Sequence, residues 1–248
     1  ADGEDIANAS FLCVDQDSKG AIWLGTNNNG LVRAIGDVSH PKQVRFTVYN
    51  LHNNKLNSLN IQCLYEDSKK RLWIGTEGGG LNLYDRNNDT FIPVNKKFNL
   101  PGDVIYNIQE DGKGNLWMGT NIGLIRLNVS NDLKQSTYRL YTIGDGLQDN
   151  FFIRNASFKK NNEMFFGGHK GYNSFFPDKL EEFEMNAPIV ITDIKIFNKS
   201  LSALDENVRR KISEKTPEFA DKIKISHENN NFSIEFAELS YINPMQNK

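Results

Sequence analysis

The chain has 248 residues, 29 Lys and Arg against 31 Asp and Glu, and a formal net charge of −2. No basic cluster stands out, which excludes a nucleic-acid surface through this chain, and no apolar run approaches the length that spans a membrane. The hydrophobic share of 38% omits the 19 glycines; with them it reaches the ordinary globular range, so a real core is available. The chain opens ADGEDIANAS, without the basic and apolar regions of a signal peptide.

In chain order, a short apolar run FLCV is followed by a polar turn DQDSKG and then by AIWLGTNNNGLVRAI from Ala21, with VRFTVYN behind it. The same parts return as IQCLY, EDSKK, RLWIGTEGGGLNLYD from Arg71 and FIPVN, and again as IYNIQ, EDGKG, NLWMGTNIGLIRLN from Asn115 and YRLYTI. A worn copy follows: IRNASF, KKNN and EMFFGGHKGYNSFF from Glu163. Aligned on Trp23, Trp73, Trp117 and Phe165, the copies are spaced 50, 44 and 48 residues apart. The runs have strand length, are bounded by Gly, Asn and Asp, and show no helical period.

Four short antiparallel strands per 40–50 residues is the pattern of a β-propeller blade, which buries its faces only by stacking on neighbours. The fold class is therefore all-β. The aromatic on the second strand supplies the large apolar surface between blades. Asp17, Asp67 and Asp111, each six residues before a Trp, are expected to bond their own backbone and close the turn. Cys13 and Cys63 share one register of two copies and are expected to be buried free thiols.

The stretch YEDSKKRLWIGTEGGGLNLYDRNNDTF resembles the two-component regulator propeller repeat, which builds the periplasmic sensor region of Bacteroides-type hybrid two-component histidine kinases. The resemblance covers three strong copies and one degenerate copy, about residues 1–178. The last copy, GDGLQDNFFIRNASFKKNNEMFFGGHKGYNSFFPDKL, resembles the last blade of such sensors and departs from the other copies here: Phe165 replaces Trp, Gly168 replaces Thr and Lys159 replaces Asp. NAPIVITDIKIFNKSL, from Asn186, resembles the first strand of the Y_Y_Y domain, an immunoglobulin-like β-sandwich, and IKISHENNNFSIEFAELSYINPMQNK resembles its next two strands. There, Ile223 and Ile225, then Phe232, Ile234 and Phe236, alternate with period two. The resemblance thus implies a partial propeller over 1–185 and an incomplete Y_Y_Y sandwich over 186–248, a fragment cut at both ends. SALDENVRRKISEKTPEFAD between them reads as a loop with a helical turn.

A search for chemistry finds little. His40, His52, His169 and His227 lack ligand spacing, and no nucleophile elbow, Walker loop or EF-hand is present. No catalytic residue, metal site or cofactor is assigned. Glu181, Glu182 and Glu184 read as a solvated linker. A binding role remains. In a propeller the first strand of each blade lines the axis, and the turns between second and third strands share a rim with the loops that enter the first. Asn27, Asn28, Asn29, Glu77, Asn121, His169 and Lys170 belong to that rim, with the stretch HNNKLN at His52. Their planar donors and acceptors suit sugar hydroxyls; the alternative is that rim loops are polar because they meet water.

The resemblance implies a periplasmic, homodimeric sensor, the extracytoplasmic part of an inner-membrane protein. It would detect an oligosaccharide and signal through segments beyond this chain to a histidine kinase and a transcriptional output. Two other readings stay open. One is a propeller lyase of the kind that opens streptogramins, for which His169 and Glu77 are the only seed of a catalytic cluster. The other is a scaffold that binds protein partners.

Overall fold

The computed structural model describes residues 8–37, 39–52, 56–130, 133–180, 189–213, 215–220 and 222–238. Contacts divide the chain into two units, Ala1–Leu180 and Glu181–Lys248. The boundary at 185/186 and the acids Glu181, Glu182 and Glu184 lie outside the described residues, as does 53–55 of the HNNKLN stretch.

The first unit is four antiparallel sheets in chain order. Blade one comprises β1 (Ser10–Gln16), β2 (Ile22–Asn27), β3 (Leu31–Ile35) and β4 (Arg45–Tyr49). Blade two comprises β5 (Ile61–Glu66), β6 (Leu72–Thr76), β7 (Leu81–Asp85) and β8 (Thr90–Pro93). Blade three comprises β9 (Ile105–Glu110), β10 (Leu116–Thr120), β11 (Leu124–Asn128) and β12 (Thr137–Tyr141). Blade four has three strands, β13 (Phe152–Lys160), β14 (Glu163–Gly168) and β15 (Gly171–Phe175). Each sheet is a meander of sequential neighbours, and the first strands β1, β5, β9 and β13 contact one another around the axis. This is a β-propeller arrangement of blades.

The tryptophans sit between blades. Trp23 packs with Tyr49, Tyr84 and Phe91; Trp73 with Leu116, Met118 and Ile105; Trp117 with Phe152, Phe166 and Met164. All three are fully buried, which removes the indole N–H from water and obliges it to find an acceptor. The aspartate six residues earlier supplies it. Trp23 Nε1 donates to Asp17 Oδ2 at 3.0 Å, Trp73 to Asp67 at 2.8 Å and Trp117 to Asp111 at 2.9 Å. The other carboxylate oxygen closes the turn; in blade three it accepts the backbone N–H groups of Lys113 and Asn115, each at 2.9 Å.

Serine and glutamate clasp successive blades. Ser18 donates through N and Oγ to Glu66, and Ser68 likewise to Glu110. Here the structure corrects one alignment. The hairpin of blade four is a residue shorter, so Lys159 pairs with Met164 as Glu110 pairs with Leu116. Lys159 thus stands where the clasping glutamate stood, not where the aspartate stood. Its Nζ donates to the Glu110 carbonyl at 2.6 Å, and Gly112 replaces the serine. Phe165 has no side-chain N–H, so blade four needs no aspartate to accept one.

The Trp-x-Gly-Thr stretch has a steric cause. A Cβ on Gly75 would overlap the Sγ of Cys63 and press on the Ile105 carbonyl; Gly25 stands likewise against Cys13, and Gly119 against Asn107. The threonine hydroxyls, Thr26, Thr76 and Thr120, donate to the carbonyls of Gly30, Gly80 and Gly123 and cap the turn. In blade four, Gly168 pairs directly with Gly171, leaving His169 and Lys170 as a two-residue hairpin tip.

The second unit holds β16 (Ile189–Ile196), β17 (Lys199–Ser200), α1 (Glu206–Ile212) and β18 (Phe232–Glu238), with sheet order β17-β16-β18. Asp205 caps α1 by accepting the Asn207 N–H. Ile194, Ile196, Leu201 and Ile212 form the core. The two strands expected around Ile223 and Phe232 resolve into one. Only Phe232–Glu238 joins the ladder, while Ile223 and Ile225 pack against the core from an irregular segment held by Lys224 N to Ile212 O. Side-chain alternation is satisfied by one-sided burial without strand pairing. Among the described residues no helix is long and apolar enough to cross a membrane.

Candidate functional site

In blades one and two the turn between second and third strands bonds the loop entering the next first strand, and in blade four it bonds the loop entering that blade's own first strand. Gly30 N donates to Leu59 O, Gly78 N and Gly80 N to Asp103 O, and His169 N to Phe151 O. These contacts define one rim.

At the axis end of this rim the side chains converge. Glu77, just past β6, accepts from Asn60 Nδ2 at 2.9 Å and from Gln62 Nε2 at 2.8 Å, both through Oε2. Its backbone is pinned by Ser58 Oγ, which donates to Glu77 O at 2.6 Å. Gln62 is buried, and its Oε1 accepts from Arg154 Nη1 at 3.3 Å. Beside them runs an aromatic row, with Tyr106 and Phe151 5.6 Å apart and Phe151 and His169 4.8 Å apart between centroids. Tyr106 links the row to the charges. Burial raises its pKa, the nearby Glu77 carboxylate raises it further and Arg154 opposes both.

Arg154 reaches the axis because β13 is distorted there. Its register shifts between Phe152 and Ser157, and Asn155 adopts φ 57°. The distorted segment touches every other blade. Ile153 O accepts from Asn107 Nδ2 at 2.9 Å, Arg154 donates to Gln62, and Asn155 Nδ2 donates to Leu12 O at 2.9 Å. A bulge that re-aims side chains beside a site is a common device. Within the ring of first strands, Cys13, Tyr65, Asn107, Gln109, Asn155 and Ser157 line an open cavity of about 700 Å³.

Of the rim residues named from the sequence, Glu77 and His169 belong to this connected cluster. Lys170, at the same hairpin tip, lies 3.9 Å from Asp149. Asn27 ends β2 exposed, Asn28 has φ 70°, and the Asn29 N–H donates to Thr26 Oγ1 on the turn of blade one. Asn121 stands on the turn of blade three, with Oδ1 buried and unpartnered. Asn57 is a lock between elements, donating to Gly79 O and accepting from the buried Asn82. Sequence reading missed Asn60, Gln62, Tyr106, Phe151 and Arg154. The signal was faint: Gln62 and Tyr106 interrupt the short runs IQCLYE and IYNIQE, and Arg154 lies in the mixed run FIRNASFKK.

Burial disfavours the thiolate form of both cysteines. Burial pushes Cys13 up to about 12 and raises Cys63 well above the ordinary thiol range, and both are free. Among the described residues, no three His, Cys, Asp or Glu side chains form a group that could hold a metal ion. Aromatic faces beside a carboxylate, two amides and a guanidinium can stack on a ring and hydrogen-bond its substituents.

Comparison with known proteins agrees with the repeat. The family described as "Two component regulator propeller" matches residues 55–78 and 99–121. The chain carries two-component regulator propeller repeats. Histidine kinase P4 of Formosa agariphila is 30% identical over 234 residues, 94% of this chain and 16% of that protein. The chain thus spans about a sixth of the curated relative that it matches. The extracellular domain of the putative hybrid two component system BT3049 from B. thetaiotaomicron is 23% identical, covering 92% of this chain and 35% of that one, with a TM-score of 0.41. PorZ, a surface component of the type-IX secretion system of Porphyromonas gingivalis, is 14% identical over 95% of this chain and 38% of its own, with a TM-score of 0.56, a likeness of fold. The regulator repeats lie in blades two and three, which supply Asn60, Gln62, Glu77 and Tyr106 to the rim cluster.

Proposed function

We propose that this chain is the extracytoplasmic sensing part of a hybrid two-component regulator, and that it takes an oligosaccharide at the rim cluster of Glu77, Gln62, Tyr106, Phe151 and His169. The regulator repeats and the similarity to a histidine kinase support the sensor. The observation that carries the ligand is the aromatic row Tyr106–Phe151–His169 beside a carboxylate already oriented by two amides. Aromatic faces and oriented planar acceptors fix a small polar ligand by shape and direction. The sensor is periplasmic and works as a homodimer in which ligand favours one arrangement of protomers, through its differential affinity for the two states. A kinase and a transcriptional output elsewhere in the protein receive the signal.

The test is a thermal-shift screen of the chain against plant and host oligosaccharides, with the sugar recovered afterwards. Binding to the folded state raises the melting temperature by mass action. A shift for one sugar family, lost in Tyr106→Ala and Phe151→Ala with the sugar unchanged, supports the sensor. A cleaved sugar supports the lyase reading. The absence of any shift across the panel sinks the sugar reading and favours a protein-binding scaffold.

A further inference from the structure

The rim cluster holds opposite charges without pairing them. Glu77 and Arg154 both end on Gln62, the carboxylate on its amide nitrogen at 2.8 Å and the guanidinium on its amide oxygen at 3.3 Å. One buried amide therefore stands between an anion and a cation that could otherwise neutralise each other. Four other arginines of the propeller pair with carboxylates: Arg33 with Asp89, Arg71 with Asp67, Arg86 with Asp17 and Glu66, Arg139 with Asp145. Arg154 ends on a neutral group, is exposed, and stands at the axis next to the aromatic row.

Its backbone is fixed on both sides, by Asn107 on Ile153 and by Asn155 on Leu12, so its placement costs little order on binding. A guanidinium offers a planar fork that fits a carboxylate or a sulfate with two parallel hydrogen bonds. Glu77, with Oε2 committed to the two amides, keeps Oε1 as an acceptor for hydroxyl groups. The pair thus offers two separate recognition points, one for an anion and one for neutral donors, at the two ends of one amide.

We propose that the rim site selects an acidic oligosaccharide: Arg154 takes a ring carboxylate or sulfate ester, Glu77 accepts from hydroxyls, and Tyr106 and Phe151 stack on the ring. This inference rests on the sugar-binding reading of the same cluster. The charge on the sugar is the specificity element, because a neutral sugar leaves the guanidinium with no partner better than water.

The test is calorimetric titration of the 248-residue chain with three probes of equal length: an oligogalacturonide, its carboxyl-reduced neutral counterpart, and a sulfated galacto-oligosaccharide. One anionic probe is expected to bind about ten- to a hundred-fold more tightly than the neutral one, the range of a hydrogen bond to a charged group. The two anionic probes separate carboxylate from sulfate recognition. The preference should weaken with added salt, and in Arg154→Gln the anionic probe should fall to the level of the neutral one. Arg154→Lys, which keeps charge but not the fork, should retain part of the preference, and its unchanged melting temperature controls for folding. Equal binding of neutral and anionic probes overturns the acidic preference while leaving the sugar reading intact. An anionic preference that survives Arg154→Gln overturns the assignment of Arg154. No binding of either anionic probe overturns the proposal, and silence across the wider sugar panel sinks the sugar reading itself.

Discussion

Asp111 is the sharpest probe of what holds a blade. Its side chain is 6% exposed and receives four donors: the N–H groups of Lys113 and Asn115 on Oδ1, and Trp117 Nε1 and Asn115 Nδ2 on Oδ2. In Asp111→Asn only one acceptor oxygen remains. If it keeps the turn, the new NH₂ faces the indole N–H, donor against donor, and Trp117 is 1% exposed, so water cannot replace the acceptor. Leaving one buried donor unpaired costs about 1–3 kcal/mol, and losing a charge-assisted bond to the turn places the expected total at about 2–4 kcal/mol. In a Trp117→Phe background there is no indole donor to strand, as nature has arranged with Phe165, and the cost of Asp111→Asn should drop by about 1–2 kcal/mol. The assay is urea unfolding of the four variants followed by far-ultraviolet circular dichroism. Additive costs, within about 0.5 kcal/mol, would refute the pairing as the cause. Acidity gives an independent check. Burial tends to raise the Asp111 pKa, but the hydrogen bonds from Trp117 and Asn115 win and lower it. A lowered carboxyl pKa contributes stability that is present above the unfolded value, about 3.9, and is lost as pH falls through the folded value. The gap between the native chain and Asp111→Asn should therefore narrow below about pH 4.

Three further outcomes follow from the packing. Gly75→Ala should cost about 1–3 kcal/mol by overpacking, and Cys63→Ala should return part of it by vacating the space that the new Cβ enters; a neutral Gly75→Ala would remove the steric account of the Gly-Thr repeat. Asn155→Gly keeps the left-handed backbone and loses only the bond to Leu12 O, whereas Asn155→Ala loses the bond and strains φ as well. Alanine should be worse by about 1 kcal/mol in chemical denaturation, and equal costs would argue against the strained bulge. Cys63 should resist iodoacetamide at pH 8 in the native chain and react rapidly in urea, since burial disfavours the thiolate; native labelling at the rate of a free thiol would contradict its placement.

The repeat made the blades legible. Trp23, Trp73 and Trp117 at intervals of 50 and 44 residues, with apolar strands between Gly- and Asn-rich turns, fixed strand order and the antiparallel meander, because each blade is a local unit whose hydrogen bonds join sequence neighbours. The turn-closing role of Asp17, Asp67 and Asp111 was legible for the same reason: its partners lie two to four residues away. What the same carboxylates do for the indoles was not, since it depends on burial that neighbouring blades create. Local reading failed where spacing slipped. Lys159 was placed six residues before Phe165 by count, but the shorter hairpin moved it to the glutamate position, a shift that only the strand register reveals.

The sequence by itself determined that this chain builds propeller blades, which residues fill the space between them, and that rim turns carry Glu77 and His169. Only the tertiary structure decided which rim residues meet. Asn60, Gln62, Tyr106, Phe151 and Arg154 come from three blades and up to 94 residues of chain, and no local period connects them. They converge because β13 bulges at Ile153 to Asn155 and makes one bond to each other blade, through the Ile153 carbonyl and the Arg154 and Asn155 side chains. A site made across repeats is set by the rotation between blades, a long-range packing quantity that one strand's alternation does not encode.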